Sequence, residues 1–236
     1  MRRALFCTVM ALAAGACRRP DVPILTWHSI GGATDEFTVS EAAFAAQLDA
    51  LQRAGFHTVS FRQWLEHEDR GAPLPDKPVL LTFDDGYQDA MTAALPALRA
   101  RGMRATFFLV SRWVGGAATA GRRSLTWDEA RALLAAGMEI GSHGATHRRL
   151  PELGEAQALE ELTASKRELE SRLGTRVEVF AYPFNASRHR LRGVVQRAGY
   201  RAAVSGADHG GADRYELYRF GVQRGTSPDD LLRAVK

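Results

Sequence analysis

The segment PVLLTF, Pro78 to Phe83, is apolar along its length apart from one threonine, and it shows no alternation. A strand of that kind has no face suited to water. It belongs in a parallel sheet covered on both faces, and parallel strands need long crossovers, usually helices. The rest of the chain supplies them. Brief apolar runs (PILTW, HTVS, ATFFLV, MEIG, VEVFAYP, YRAAV and LYRFGV) alternate with amphipathic stretches. Ser40 is placed to cap a helix that buries Phe44, Leu48 and Leu51 and stops at Gly55. Thr126 to Glu129 forms a capping box, and Ser227 caps a last helix ahead of Pro228. Further helices are expected from Tyr87 to Arg101 and from Glu155 to Leu173.

Strand and helix alternate about seven times, which predicts one α/β domain with a parallel sheet. The pattern alone leaves open a closed or nearly closed barrel and an open doubly wound sheet. In either, functional groups collect beyond the carboxyl ends of the strands. His28 follows PILTW, Asp84 and Asp85 follow PVLLTF, His143 follows MEIG, and Phe184 follows VEVFAYP.

The 236 residues are 45% hydrophobic and 25% charged, so a packed core is expected and general disorder is not. The net charge of +4 is spread over the chain, mostly as arginine. No nucleic-acid motif accompanies it, and no nucleic-acid partner is expected. Residues 1–16 are different material. MRR is a positive n-region, ALFCTVMALAAGA an uncharged apolar stretch, and Ala14-Gly15-Ala16 a small-residue cleavage site before Cys17. The segment resembles a bacterial lipoprotein signal, although Ala14 stands where leucine is usual. Residues 17–22 then read as a linker and 23–236 as the domain. The expectation is export to the cell envelope, with Cys17 lipidated as a membrane anchor. Cys7 leaves with the signal, so no internal disulfide is possible.

His143 and His147, in SHGATH, are spaced to offer two imidazoles to one cation. Two histidines and one carboxylate form a common hydrolytic zinc set with positions left open, and they also resemble the iron facial triad. Each motif alone is weak. H-x-x-x-H pairs arise on surfaces by chance, and D-D-G also suits a solvated strand-to-helix turn.

The conjunction is stronger. LTFDDG, SHGATH and FAYPF, in that order and each at a strand end, resemble the polysaccharide deacetylase family, carbohydrate esterases with a NodB-homology domain. The resemblance runs from PILTWHSI to LYRFGV and implies a distorted (β/α)7-type barrel. In the family's TFDDG motif the first aspartate is the base and the second binds metal, which assigns those roles to Asp84 and Asp85. The H-S/T-x-x-H-type motif implies that His143 and His147 complete the metal site, with zinc the expected ion. The third motif places an oxyanion-binding backbone N–H at Phe184. The family's usual C-terminal acid histidine has no counterpart here. Trp27-His28-Ser29-Ile30 resembles instead the N-terminal signature of a subgroup that includes exported poly-N-acetylglucosamine deacetylases, which makes His28 the expected acid.

The arginine that often opens the third motif is replaced by Ala181, and Asn185 stands where glycine is usual. Asp84 therefore needs another partner. Arg219 in LYRFGV, or Arg224 just after it, is expected to point into the barrel and pair with it, Arg219 being favoured. The resemblance implies a hydrolase that removes acetyl groups from an N-acetylglucosamine polysaccharide, with peptidoglycan or another N-acetylated glycan as the alternative, and a monomer is expected. An iron oxygenase would leave Asp84 and His28 unexplained. A lipid-anchored carbohydrate-binding protein without turnover would be expected to lack a ligand or the base. His57, His67, His189 and His209 have no motif context and read as surface residues. Trp113 and Trp127 could serve as sugar-stacking platforms, but each reads better as a core or rim aromatic.

Overall fold

The structure, a computed structural model, describes residues 22–116, 118, 121–206 and 213–236. Cys17 and His209 lie outside the described residues. The chain enters as β1 (Ile24–Trp27), then β2 (Ser29–Ile30) and β3 (Thr38–Val39), which pair with each other beside the sheet. There follow α1 (Glu41–Arg53), β4 (His57–Thr58), α2 (Phe61–Arg70) and β5 (Pro78–Phe83). A π turn (Ala90–Ala94) runs into α3 (Leu95–Arg99), and the alternation continues as β6 (Thr106–Leu109), α4 (Trp127–Ala135), β7 (Glu139–Ser142) and α5 (Glu155–Leu173). It ends with β8 (Val179–Ala181), α6 (Leu191–Arg197), β9 (Ala202–Ser205), β10 (Leu217–Tyr218), β11 (Phe220–Gly221) and α7 (Pro228–Ala234).

The sheet order is β10-β9-β8-β7-β6-β5-β1-β11, with every pairing parallel. β10 and β11 are two halves of one segment separated only by Arg219. The first half pairs with β9 and the second with β1, so one short stretch bridges the two edges of the sheet. The Arg219 N–H donates to Ser205 O at 2.9 Å, and the Val222 N–H to Thr26 O at 2.8 Å. The result is a single α/β domain with a nearly closed parallel barrel, and the open-sheet alternative is excluded. The barrel is distorted where β5 meets β6. Only Thr82 and Phe83 pair with β6, while β4 takes the start of β5 at Pro78 and Val79.

Alternation along β5 explains its apolar run. Val79, Leu81 and Phe83 face the helices in the larger core cluster, with Leu25, Trp27 and Phe107 from the neighbouring strands. Leu80 faces the barrel interior with Ile24, Phe108, Val179, Ala202 and Val204. α2 plugs the bottom of the barrel with Phe61, Trp64 and Leu65. Its first amides, those of Phe61 and Arg62, donate to the Glu139 carboxylate at 2.8 and 3.0 Å, which suits a helix N-terminus. Phe108 fills the interior so closely that a Cβ at Gly141 would lie 2.4 Å from its ring.

The caps expected at Ser40, Thr126 and Ser227 are present as hydrogen bonds. The helix expected from Tyr87 to Arg101 is shorter. Tyr87 is taken by a bridge to Ser124, and Pro96 has no N–H for the α ladder, so the turn before it widens to π geometry. LYRFGV is not one strand, because closing the ring makes it change partners at Arg219.

Candidate active site

Register places the first part of the site. Thr26 pairs with Thr82 and Trp27 with Phe83, so His28 and Asp84 follow side by side just beyond the strand ends. The Asp84 N–H donates to Trp27 O at 3.0 Å. Thr26 and Thr82 line the interior two residues earlier, and both hydroxyls accept from Arg219 Nη1, at 3.1 and 3.3 Å. Arg219 lies above Phe108, its guanidinium carbon 5.6 Å from the ring centroid. Its two terminal nitrogens grip Asp84, Nη1 to Oδ1 at 2.7 Å and Nη2 to Oδ2 at 2.6 Å. Both side chains are almost fully buried. Burial alone would raise the Asp84 pKa. The opposite charge of Arg219, then neighbouring His143, the Arg219 hydrogen bonds and His28, outweigh it and hold the carboxyl well below the usual carboxylate range.

Asn185 completes this pair. Its Oδ1 accepts from Arg219 Nη2 at 3.1 Å. The residue has φ 52°, a conformation that asparagine tolerates better than most side chains. Its amide fills the space above Gly206, where a Cβ would come within 2.6 Å of it.

Asp85 turns the other way. Its φ of 70° and the 67° of Gly86 reverse the chain, so adjacent carboxylates diverge. A Cβ at Gly86 would lie 2.7 Å from a Leu109 methyl, which keeps the turn tight. Asp85 Oδ1 stands 3.5 Å from His143 Nε2 and 3.4 Å from His147 Nε2. All three offer ligand atoms within 4.8 Å of one another. Two ligands about 2.1 Å from a tetrahedral zinc would be about 3.4 Å apart, so these side chains fit a divalent cation. His143 Nδ1 lies 2.8 Å from Ala181 O, the kind of contact that fixes a ring with Nε2 facing a metal. For His147, burial and then neighbouring His143 push the pKa down to about 4, which leaves the imidazole neutral as ligation requires.

FAYPF forms the wall beside His147. Pro183–Asn185 is a 3₁₀ turn in which Phe184 has φ 59°. The turn's bonds run from the Asn185 and Ala186 amides to Tyr182 and Pro183, and the Phe184 N–H takes part in neither. The Phe184 ring is 53% exposed, 4.6 Å from the His147 ring and 4.6 Å from the Arg149 guanidinium carbon. Trp113 lies against His147, with ring centroids 4.9 Å apart.

His28 is partly buried under exposed Phe37, their ring centroids 5.1 Å apart. Its Nδ1 has no hydrogen-bond partner among the described residues. Burial lowers its pKa, against an upward pull from Asp84 and Asp85. Next to it, Ser29 donates to Asp89 at 2.5 Å.

The structure thus brings His28, Asp84, Asp85, His143, His147, Phe184 and Arg219 to one end of the barrel. Arg224 is elsewhere. It is exposed, its Nη1 reaches only Ala33 O at 3.5 Å, and it does not pair with Asp84. The reason is position: Arg219 sits in the closing segment, whereas Arg224 follows in the loop outside it. Trp127 packs beneath Arg172. Sequence reading missed Thr26, Thr82 and the bond from Arg219 to Asn185. The threonines were detectable, since each stands two residues before a site residue on an inward-facing strand.

Carboxylate and imidazole donors gathered at the carboxyl end of a parallel barrel are the equipment of a hydrolase. Residues 71–203 match the polysaccharide deacetylase family. The chain belongs to that family, whose enzymes are hydrolases acting on amide bonds. It is 28% identical over 210 residues to YxkH of Bacillus subtilis (strain 168), a protein named as a polysaccharide deacetylase, covering 87% of this chain and 73% of that one. Over 93 residues it is 38% identical to the poly-β-1,6-N-acetyl-D-glucosamine N-deacetylase of Escherichia coli (strain K12), covering 38% of this chain and only 14% of that protein. Its fold is similar to that of the Streptococcus pyogenes deacetylase PplD, solved in complex with acetate. The TM-score is 0.80 at 22% identity, over 91% of this chain and 98% of that one. IcaB from Ammonifex degensii gives 0.78 at 22% identity, over 91% and 95%.

Proposed function

We propose that the protein removes acetyl groups from the N-acetylglucosamine units of a polysaccharide, with poly-β-1,6-N-acetylglucosamine the first candidate. The observation that carries this reading is the Asp84–Arg219 pair beside the Asp85, His143 and His147 donor set. The partial likeness to the Escherichia coli deacetylase supports the choice of polymer. A divalent cation held by Asp85, His143 and His147 would polarise the acetamide carbonyl and make water more acidic.

The chain's own residues supply the rest. Asp84, kept ionised and fixed by Arg219, takes a proton from the attacking water as its oxygen bonds to the carbonyl carbon. The Phe184 N–H donates to the developing oxyanion. His28 gives a proton to the amide nitrogen as the C–N bond breaks, releasing acetate and the sugar amine. Its lowered pKa makes it, once charged, a stronger acid than free imidazole.

Acetate release from poly-N-acetylglucosamine, chitin oligomers and peptidoglycan, with and without chelator, tests the reading. Release from the first substrate should be greatest and should stop on metal removal. No release from any of them by zinc-loaded protein would sink it. His28→Gln should lower kcat by about 10²–10⁴-fold with little change in KM. Unchanged kcat would remove His28 from the mechanism. The reading includes export and acylation at Cys17, supported by the Ala14-Gly15-Ala16-Cys17 sequence. Mass spectrometry of the mature N-terminus decides it: an unmodified Met1 would rule it out.

A further inference from the structure

We propose that Glu161, on α5, is a positioning residue that sets His147 for a divalent cation. The inference rests on the reading of Asp85, His143 and His147 as a metal site. His143 needs no such help, because Ala181 O already holds its ring. No acceptor is hydrogen-bonded to the His147 ring among the described residues, and its side chain is held by packing between Trp113 and Phe184. Where it points therefore depends on the backbone that carries it. That backbone is unusual, with φ 62° at His147 and 86° at Gly144. A non-glycine residue in the left-handed region is strained and persists only where its surroundings enforce it.

Two restraints enforce it here. From the β6 side, Ser111 N–H donates to Gly144 O and Arg112 N–H to Ala145 O, both at 3.1 Å. From the α5 side, Glu161 Oε1 accepts the Thr146 N–H at 2.6 Å. The Thr146 hydroxyl lies 3.0 and 2.9 Å from the two carboxylate oxygens. Glu161 thus holds the residue immediately before His147 by both backbone and side chain. Only 8% of it is exposed, and no cation pairs with it among the described residues.

Gly144 supplies a second indication. It occupies the position where the H-S/T-x-x-H-type motif has a hydroxyl residue. A Cβ there would lie 3.1 Å from Glu161 Oε1. In this chain the carboxylate from α5 takes the room that a side chain at 144 would need, and binds the loop at Thr146 instead.

Competition titration of zinc against a chromophoric chelator, with melting curves of the metal-free proteins, tests the assignment. Glu161→Ala should weaken zinc binding about 10–100-fold, the usual effect of losing a residue that orients a ligand. Glu161→Gln should restore most of the affinity, because its carbonyl oxygen still accepts the Thr146 N–H. Thr146→Val, which removes the hydroxyl and keeps the N–H, should give a smaller loss and decides the matter if Glu161→Ala does not fold. A merely structural role would lower the metal-free melting temperature and leave zinc affinity unchanged in every folded variant, and that result overturns the inference alone. Failure of the wild-type protein to bind one zinc overturns the metal-site reading along with it.

Discussion

Asp84→Asn should cost the zinc-loaded enzyme about 10²–10⁴-fold in acetate release, the usual contribution of a general base, while zinc still binds stoichiometrically. The amide has the shape of the carboxylate and still offers Arg219 one acceptor oxygen, but it cannot take a proton from water. Asp85, His143 and His147 are untouched, so metal content separates the two roles of the adjacent aspartates. Asp85→Asn should do the reverse and lose the metal first. Near wild-type turnover in metal-loaded Asp84→Asn would show that the proton goes elsewhere.

Arg219→Leu should have the largest effect on stability. It leaves Asp84, 3% exposed, without its counter-charge. Breaking a buried pair from one side costs about 3–5 kcal/mol. The pH dependence should also change sign. In the wild type, Arg219 depresses the Asp84 pKa against the upward effect of burial. That stabilisation is present above the unfolded carboxylate pKa and is lost as pH falls through the lower folded value. Without Arg219, burial prevails and the folded pKa rises above the unfolded one. The variant should then gain stability relative to wild type as pH falls from 7 toward 5. Urea midpoints of the metal-free proteins at the two pH values read this directly, and an equal deficit at both would refute it. Adding Asp84→Asn to Arg219→Leu should recover part of the loss, because the unpaired charge is gone. Activity should fall in Arg219→Leu with zinc affinity nearly unchanged, since a base free to rotate loses its positional advantage.

Much of this protein is determined locally. PVLLTF is a strand wherever it packs, because its run has no polar face. Ser40, Thr126 and Ser227 cap helices through bonds to residues three positions on. Asp84, Asp85 and His143 stand directly after strands, so any parallel sheet would have collected them at one end, whereas His147 sits farther out in the loop after β7. What the sequence left open was closure of that sheet, since strand–helix alternation fits an open sheet as well as a barrel. Tertiary structure decided it through the segment from Leu217 to Gly221, which pairs with β9 and then with β1. That closure also separates Arg219 from Arg224, two arginines nearby in sequence. One is drawn into the interior beside Asp84, 135 positions away along the chain, and the other is left in water. Glu161 and Asn185 belong with Arg219 in this respect. Their importance lies in oxygens aimed at Thr146 and at the guanidinium, and such aim follows from packing between distant segments rather than from any local pattern.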